Sequence, residues 1–266
     1  MTNAERFRLS TKAIRVARWR EVPKLAGFIL ISAAMLACRT RSHRKWHFSL
    51  NDYELSLGIS GASGFSFVME VIVGEAYRAF APLLRDPRHN GVVLDCGANV
   101  GFFALWALRQ NPALTVYALE PHPATYASLC EHTRVNALTG RILPYQFAAR
   151  SRDGAIDVDV CDDSNLAVIG EVLERGKVIR GRRVPVRMVS LDSFCAERRI
   201  KPALVKIDVE GYEVDVLSGA RVVLDSASGV ILEAHSPVLA DACTAKLIAH
   251  GFQVNQVDGL PLGRRD

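Results

Sequence analysis

A glycine turn between an apolar strand and an apolar helix is the first feature of this sequence that could support chemistry. The segment Val92–Gly101 has the sequence VVLDCGANVG. Gly97 and Gly101 allow a sharp turn and a close approach of the backbone to a ligand. The N-terminus of the following helix presents free amides and a positive dipole end. The turn therefore suits an anionic or carboxylate-bearing cofactor. In the structural alternative, the glycines only shape the turn and Asp95 caps the helix.

An acidic residue ends the next predicted strand. Glu120 follows the apolar stretch Thr115–Leu119, about twenty residues after the glycine turn, where a carboxylate can accept hydrogen bonds from both ribose hydroxyls of an adenosine-containing ligand. The G-x-G-x-x-G fingerprint of dinucleotide enzymes is absent, because Asp95 and Asn99 take places where that fingerprint needs other residues. The two features together favour an adenosine-containing cofactor that is not a nicotinamide dinucleotide.

A third polar group follows the fourth predicted strand, in the segment KIDVEGYE at residues 206–213. The carboxyl end of such a strand is where ligands bind in open α/β sheets. Strand alternation places Lys206 and Asp208 on the same side, so an internal ion pair is one interpretation. The functional interpretation is that Asp208 and Glu210 line a cleft, where they orient an acceptor hydroxyl or stabilise positive charge on the cofactor.

His235 follows the fifth predicted strand and should lie at the same sheet edge as Asp208. Imidazoles are the commonest proton acceptors in catalysis near neutral pH, so His235 and Asp208 are both candidate general bases. Alternatively, the base is a residue between 153 and 185, or the reaction uses no base. In the structural interpretation of His235, the histidine begins a helix and bonds to the backbone. Together with Glu210 and Glu233 they offer metal ligands, but the sequence gives no coordination geometry and we predict no metal.

Alternating strands and helices must position these residues. Strands are predicted at residues 92–95, 115–120, 142–147, 204–208 and 229–233, and helices at 101–109, 123–136, 212–225 and 238–250. This alternation is typical of a parallel sheet covered on both faces. Before it, residues 48–57 predict one or two short strands and residues 70–84 an amphipathic helix. We therefore expect a Rossmann-like α/β fold with a mostly parallel sheet.

The segment Asp153–Pro185 breaks this alternation with β-prone residues and turns, which predicts an insertion of strands and loops. Loops placed on a rigid sheet are often where substrate is held. We divide the chain into an N-terminal extension, residues 1–69, and one catalytic domain, residues 70–266, with the insertion at 153–185 as a substrate region.

The positive charge of the chain is concentrated at its N-terminus. Residues 1–45 contain eleven Lys or Arg and two Glu, a balance of +9, so the rest of the chain carries 5 − 9 = −4. A nucleic-acid-binding domain would show a basic patch. The mildly acidic body therefore argues against a nucleic-acid partner.

An apolar run of fourteen residues, Leu25–Cys38, lies inside this basic region. It is shorter than the roughly 17–25 residues of a spanning helix, and the basic residues directly after it do not fit a signal peptide. A helix packed on the domain is the first interpretation. Peripheral contact with an anionic membrane through residues 15–45 is the second, and a membrane span is the third.

The cysteines point to a reducing compartment. All six are widely scattered and form no C-x-x-C pair. Free thiols are typical of cytoplasmic proteins. We expect a cytoplasmic protein, in contact with the inner face of the membrane if the basic segment binds lipid.

The ordered series of motifs resembles the FkbM family of methyltransferases. The matching segments are 95–101, 120–121, 191–192, 206–211, 216–220 and 232–235, preceded by Gly74–Tyr77, so that the resemblance spans residues 70–255. Cys96 departs from the small aliphatic residue that such proteins often carry there. Residues 1–69 have no counterpart in the family.

The resemblance implies a seven-stranded class I methyltransferase fold with helices on both faces. It implies S-adenosylmethionine as cofactor and methyl transfer to a hydroxyl of a sugar, glycolipid or secondary metabolite, so that the partner is a small-molecule or glycan acceptor. It places the methionine portion against Asp95, Gly97, Ala98, Asn99 and Gly101, the ribose against Glu120, and the adenine near Asn136 and Ala148.

Two other functions stay open at this point. A nucleotide-dependent sugar-modifying enzyme or oxidoreductase would need a phosphate-binding turn with three glycines. A non-catalytic Rossmann-fold binding protein would not need the polar side chains of Asp95, Asn99, Glu120 and Asp208, all of which are present.

Overall fold

The computed structural model describes residues 26–27, 30, 45–50, 53–58, 71, 76–86, 91–160, 172–174, 177–179, 182–257 and 260–264. The strands are β1 Lys45–Leu50, β2 Tyr53–Gly58, β3 Val92–Cys96, β4 Thr115–Leu119, β5 Ile142–Tyr145, β6 Phe147–Arg150, β7 Gly154–Val160, β8 Val172–Glu174, β9 Lys177–Ile179, β10 Arg182–Ser190, β11 Pro202–Ile207, β12 Gly229–Leu232, β13 Gln253–Val257 and β14 Leu260–Arg264. The helices are α1 Ala81–Arg85, α2 Phe102–Gln110, α3 Pro123–Val135, α4 Leu191–Arg198, α5 Glu213–Ser218, α6 Arg221–Ser226 and α7 Pro237–Ala249.

The central sheet has seven strands in the order β13-β14-β12-β11-β3-β4-β5. Neighbouring strands from β12 to β5 are parallel, and β14 pairs antiparallel with both β12 and β13. After β3 the chain builds β4 and β5 on one side, and it returns later to add β11 and β12 on the other. The strand order therefore reverses between β3 and β11, which is where open α/β sheets bind ligands. The predicted fold class is confirmed.

Side chains alternate between two apolar cores, one on each face of this sheet. Val93 belongs to one core with Phe103 of α2 and Leu129 of α3. Leu94 belongs to the other with Phe194 of α4, and α5, α6 and α7 pack on that same face. Near-continuous burial of β3, β11 and β12 follows from this two-sided covering.

The N-terminal strands form a hairpin that packs on α3. β1 and β2 pair antiparallel, and Leu50, Tyr53 and Leu55 are buried in the same core as α2. The two short strands predicted before Gly58 are confirmed. Although the sequence analysis places them in the extension, their burial joins them to the sheet domain.

A second sheet lies beside the central one and contains part of the predicted insertion. Its order is β6-β10-β7, with β6 parallel and β7 antiparallel to β10. β8 and β9 form a separate hairpin. The described part of residues 153–185 thus consists of strands, as predicted, while residues 161–171, 175–176 and 180–181 lie outside the described residues.

Three predicted elements differ from the structure. The helix expected at 212–225 is two helices that are separated at Gly219, where the backbone passes so close to the carbonyl oxygen of Arg150 that a Cβ atom would lie 2.5 Å from it. The strand expected at 142–147 ends at Tyr145, and β6 then joins the second sheet. In the described part of residues 70–84, a 3-10 turn at Arg78–Phe80 precedes α1, whose first turn contains a proline, so that one continuous helix does not span residues 76–84.

No helix in the described part of the chain combines the length and apolarity that a membrane span requires. Most of the apolar run at 25–38 lies outside the described residues. Cys96, Cys130, Cys195 and Cys243 are free thiols, as expected. Cys38 and Cys161 also lie outside the described residues.

Candidate active site

Three loops meet at the carboxyl edge of the central sheet, beside the reversal point between β3 and β11. The glycine turn follows β3, the Asp208–Gly211 loop follows β11, and Glu233 begins the loop after β12. Backbone hydrogen bonds join the loops, from Asp208 N to Cys96 O at 3.0 Å and from Glu233 N to Ile207 O at 2.9 Å. The candidate residues predicted after these strands therefore do come together at one edge.

The glycine turn is fixed by backbone contacts on both sides. Gly97 and Ala98 donate their N–H groups to Leu119 O at 3.0 and 2.9 Å. Gly97 has a φ of +76°, and a Cβ atom there would collide with the carbonyl oxygen of Asp208. Gly101 has a φ of +89° and precedes α2 directly. Glycine at position 97 is therefore required by the contact between two of the loops as well as by backbone conformation.

Two residues other than glycine adopt left-handed backbone conformations in these loops. Asn99 has a φ of 50° and Glu210 a φ of 52°. Such conformations are costly for residues with a Cβ atom, and they concentrate at functional sites. Asn99 and Glu210 therefore mark these two loops as candidate functional segments.

Lys206 is buried beneath the loops and joins them electrostatically. Its Nζ atom lies 3.3 Å from Asp95 Oδ1, 3.3 Å from Asp208 Oδ2 and 2.8 Å from Gly97 O. Asp95 and Lys206 are register partners on β3 and β11, so their side chains lie on the same face. Burial alone would lower the pKa of Lys206, but Asp208 and Asp95 outweigh it and hold the pKa well above its usual value. The predicted ion pair of Lys206 with Asp208 is confirmed, and Asp95 extends it.

Buried acceptor atoms surround the glycine turn. Oδ2 of Asp95 and Oδ1 of Asn99 lack any partner, and Oδ1 of Asp95 has only the ion pair with Lys206 at 3.3 Å. Burial raises the pKa of the Asp95 carboxyl. Unpartnered buried acceptors are costly, so this turn suits a ligand that brings N–H donors or positive charge.

Glu120 joins the glycine turn to the start of α3. Its carboxylate accepts hydrogen bonds from Asn99 N, His122 N and Thr125 Oγ1, each at 2.8 Å. Glu120 is only 3% exposed, and burial raises its pKa. The carboxylate lies at the predicted edge, where it holds the turn in place in addition to any contact with a ribose.

His122 is a polar residue at this edge that the sequence analysis did not single out. Its side chain is fully buried and neither ring nitrogen has a hydrogen-bond partner. Burial lowers its pKa, which favours the neutral imidazole. The available signal was its position directly after Glu120-Pro121, at the N-terminus of α3.

His235 lies among carboxylates on the other side of the site. Its Nδ1 is 2.9 Å from Glu213 Oε1, and its Nε2 is 3.1 Å from Glu210 Oε2 and 3.7 Å from Asp208 Oδ1. The hydrogen bond to Glu213, with the charges of Glu210 and Asp208, raises the pKa of His235 to about 9. Glu213, which orients this imidazole, is not among the site residues predicted from the sequence.

Ligand atoms of Asp208, Glu233 and His235 all lie within 4.8 Å of one another. No metal is predicted from the sequence, because the sequence gives no coordination geometry. The structure places three of the four candidate ligands, Asp208, Glu233 and His235, close enough together to share one ion.

Tyr77 contributes to the site from outside the sheet. Its ring packs edge-on against Phe103, with centroids 5.0 Å apart. Burial raises its pKa, and the charges of Lys206 and Asp208 are near enough to affect it. Tyr77, the last residue of the Gly74–Tyr77 motif, thus reaches the base of the site.

Asn136 is not brought to this site. It follows α3 at the end that lies away from the carboxyl edge, since α3 runs antiparallel to the strands and its thirteen residues span about 20 Å. Its amide accepts from Glu54 N at 2.9 Å and donates to Glu54 O at 2.8 Å. The expectation that Asn136 neighbours the adenine is corrected accordingly: its side chain fastens the N-terminal hairpin.

Ala148, the other residue expected near the adenine, lies on β6. It pairs with Met188 of β10 and is 1% exposed. Its side chain is therefore buried within the fold, and only its place after β5 relates it to the site.

Comparison with known proteins identifies the family. A model of the methyltransferase FkbM domain matches residues 95–254 of this chain. The chain belongs to the FkbM methyltransferase family. The match begins at Asp95 and includes the glycine turn, Glu120, Lys206 and the loop with His235.

Two relatives agree with this assignment, and one solved structure shares the fold. The hexuronic acid methyltransferase AglP of Haloferax volcanii is 30% identical over 190 residues, which are 69% of this chain and 74% of that protein. The 31-O-demethyl-FK506 methyltransferase FkbM of Streptomyces tacrolimicus is 28% identical over 227 residues, covering 70% and 85%. A SAM-dependent methyltransferase from Agrobacterium tumefaciens has the same fold, with a TM-score of 0.51 at 10% identity, covering 86% of this chain and 72% of that one. The FkbM-family chain described here is an S-adenosylmethionine-dependent methyltransferase.

Proposed function

We propose that this FkbM-family enzyme transfers a methyl group to a hydroxyl oxygen of a sugar, glycolipid or secondary metabolite. The observation that carries the proposal is the group Asp208, Glu210 and His235, which lies beside the glycine turn and is linked to it through Lys206. The relatives named for a hexuronic acid and for 31-O-demethyl-FK506 support such acceptors.

The glycine turn and Glu120 form the cofactor side of this proposal. The methionine portion is held by Asp95, Gly97, Ala98, Asn99 and Gly101. Oδ2 of Asp95 and Oδ1 of Asn99, which have no partner in the protein, are matching acceptors for its ammonium group. Glu120 holds the ribose with the one lone pair, on Oε2, that its three present bonds leave over. S-adenosylmethionine supplies an electrophilic methyl group on a positively charged sulfur.

The acceptor side of the site aligns the hydroxyl and deals with its proton. Methyl transfer is an in-line displacement, so alignment of acceptor and methyl group is the main requirement. Because its pKa is raised to about 9, His235 is protonated at neutral pH in the free protein and cannot act there as the base. Asp208 is the better candidate to receive the proton, while Glu210 and the protonated His235 orient the acceptor oxygen.

An assay with isotopically labelled methyl donor tests this function. Purified protein is incubated with methyl-labelled S-adenosylmethionine and a panel of uronic-acid glycans and hydroxylated metabolites. We expect label on an oxygen of one acceptor class. In cells, glycans and glycolipids with and without the protein should differ by about 14 Da, the mass of one methylation. Label found only on nitrogen, sulfur or carbon would contradict the proposal.

The basic N-terminal segment, residues 1–45, bears on the location of the enzyme. We propose a cytoplasmic protein that touches the inner face of the membrane through residues 15–45, because residues 1–45 carry a balance of +9 and anionic lipids attract such segments. Flotation with phosphatidylserine vesicles tests this. The full chain should float, and a chain that lacks residues 1–44 should not, while both bind cofactor equally.

A further inference from the structure

We propose that Asp208, Glu233 and His235 bind one divalent metal ion, and that this ion binds the acceptor hydroxyl. The proposal rests on the proposed function, because it explains how a hydroxyl becomes a nucleophile at this site. Its first basis is proximity: one carboxylate oxygen each from Asp208 and Glu233 and one ring nitrogen of His235 lie within 4.8 Å of one another. Atoms so spaced can share a single ion.

The backbone that carries the three ligands is well fixed. Asp208 follows β11, and Glu233 and His235 follow β12, which is the parallel neighbour of β11. The bond from Glu233 N to Ile207 O continues that ladder beyond the strands, and the bond from Asp208 N to Cys96 O ties the loop to β3. The ligand set is therefore assembled by the sheet and does not depend on an unsupported loop.

A buried carboxylate orients the histidine as in metal sites. Nδ1 of His235 donates to Glu213 Oε1 at 2.9 Å, and Gly211 N donates to the same oxygen at 2.9 Å. This leaves Nε2 facing Asp208 and Glu210. Histidines that bind metals almost always donate their other ring N–H to a carboxylate or carbonyl in this way. The fully buried Glu213 side chain, with Oε2 lacking any partner, is an observation independent of the ligand cluster.

The charge of the site favours a cation. Asp208, Glu210, Glu213 and Glu233 bring four carboxylates to the surroundings of His235, and the nearby Lys206 is shared with Asp95. A divalent ion relieves this repulsion without further rearrangement of the sheet. One nitrogen and two carboxylate ligands suit Mn²⁺ or Zn²⁺ better than an all-oxygen ion such as Ca²⁺.

The bound ion would activate the acceptor as a Lewis acid. Coordination weakens the O–H bond of the hydroxyl. Because Asp208 then holds the ion, Glu210 takes its place as the group that receives the proton, which passes on to water. The freed oxygen pair forms the new C–O bond while the methyl C–S bond breaks and its electron pair returns to sulfur. The products are the methyl ether, S-adenosylhomocysteine and one proton, which balances the reaction.

Manganese binding to the full chain, without cofactor or acceptor, tests the site directly. We expect electron paramagnetic resonance and calorimetry to show one bound Mn²⁺ per chain. His235→Ala and Asp208→Asn should abolish this binding, and Glu213→Gln should weaken it about 10- to 100-fold, as for other residues that orient a ligating histidine. The matched control is His250→Ala, since His250 also bonds a carboxylate, Asp225, at 2.8 Å but outside the site.

The outcomes separate this proposal from the proposed function. Absence of Mn²⁺ binding by folded parent protein, or equal binding by parent and His235→Ala, overturns the metal site even if methyl transfer to oxygen is observed. Mn²⁺ binding that follows the variants supports the site even if the labelled methyl group proves to go elsewhere. Circular dichroism and cofactor titration on each variant show that loss of Mn²⁺ is not loss of folding.

Discussion

Nδ1 of His235 lies 2.9 Å from Oε1 of Glu213, a carboxylate that has no exposed surface. The bond connects the loop after β12 to the first turn of α5. Burial alone would raise the pKa of Glu213, but the bonds from His235 and Gly211 lower it, so the carboxylate stays charged. The two residues therefore form an internal ion pair in the metal-free protein. The raised basicity of His235 serves to hold this pair together.

A titration of His235 should show this directly. In metal-free protein we expect a pKa of about 9, and Glu213→Gln should return it toward the ordinary value of 6.5. Nuclear magnetic resonance of the ring protons against pH measures both. Because the folded-state pKa is raised, the stabilisation is complete below pH 6.5 and is lost as the pH rises through 9. The parent should therefore exceed the variant in free energy of unfolding below pH 6.5, and this difference should decrease as the pH rises from 6.5 to 9. A parent His235 that titrates near 6.5 would show that the pair is not formed.

Substitution at Gly97 should separate backbone strain from the contact between loops. Gly97→Ala places a methyl group against the Asp208 carbonyl in a left-handed conformation, whereas Gly140, with a φ of +90°, has nothing within 4 Å. We expect Gly140→Ala to cost about 1–2 kcal/mol from conformation alone. Gly97→Ala should cost about 1–3 kcal/mol more, the range typical of overpacking. Urea unfolding of both variants gives the difference, and equal losses would mean that the close contact relaxes freely.

Much of this site was predictable because it depends on position along strands. Asp95, Lys206 and Asp208 occupy strand ends, and side-chain alternation plus parallel pairing is enough to bring them together. The roles of Glu213 and His122 were not predictable in this way. Each depends on where a helix begins relative to a neighbouring loop, and one sequence carries no signal for that distance.

The errors in the fold have equally local causes. The break at Gly219 lies at a close contact with Arg150, a residue about seventy positions earlier, whereas helical periodicity alone predicts a single long helix. Asn136 was placed by sequence order after α3. Its actual partner, Glu54, is 82 residues away in the hairpin.

The ribose assignment of Glu120 predicts a loss of cofactor affinity. Glu120→Ala should weaken S-adenosylmethionine binding by about 1.5–3 kcal/mol, roughly 10- to 150-fold, as for hydrogen bonds to a charged group. Thr125→Val is the matched control, because it removes one bond to Glu120 and leaves the carboxylate in place. Calorimetry on both variants should show near-parent affinity only for Thr125→Val. If folded Glu120→Ala bound S-adenosylmethionine as tightly as the parent, the assignment of Glu120 to the ribose would be wrong.

The corrected role of Asn136 predicts a loss of stability without a loss of cofactor binding. Asn136→Ala leaves the backbone N–H and carbonyl of Glu54 without their amide partners. We expect a decrease of about 1–3 kcal/mol in the free energy of unfolding. Cofactor affinity of the folded variant should match the parent. If the fully folded Asn136→Ala protein bound the cofactor more weakly than the parent, Asn136 would again be assigned as a neighbour of the adenine.

The last prediction concerns the chemical step. Asp208→Asn keeps the size of the side chain but removes the charge that faces Lys206 and His235. Whether Asp208 accepts the proton or binds the ion that releases it, turnover should fall by about 10²- to 10⁴-fold, the usual contribution of proton transfer. Cofactor affinity should change little, because the carboxylate acts on the acceptor side. Asp225→Asn is the control, since Asp225 also pairs with a histidine but lies outside the site. Single-turnover kinetics with labelled S-adenosylmethionine measures the step. If Asp208→Asn turns over at the parent rate, the group that receives the proton must be Glu210 or a residue between 153 and 185.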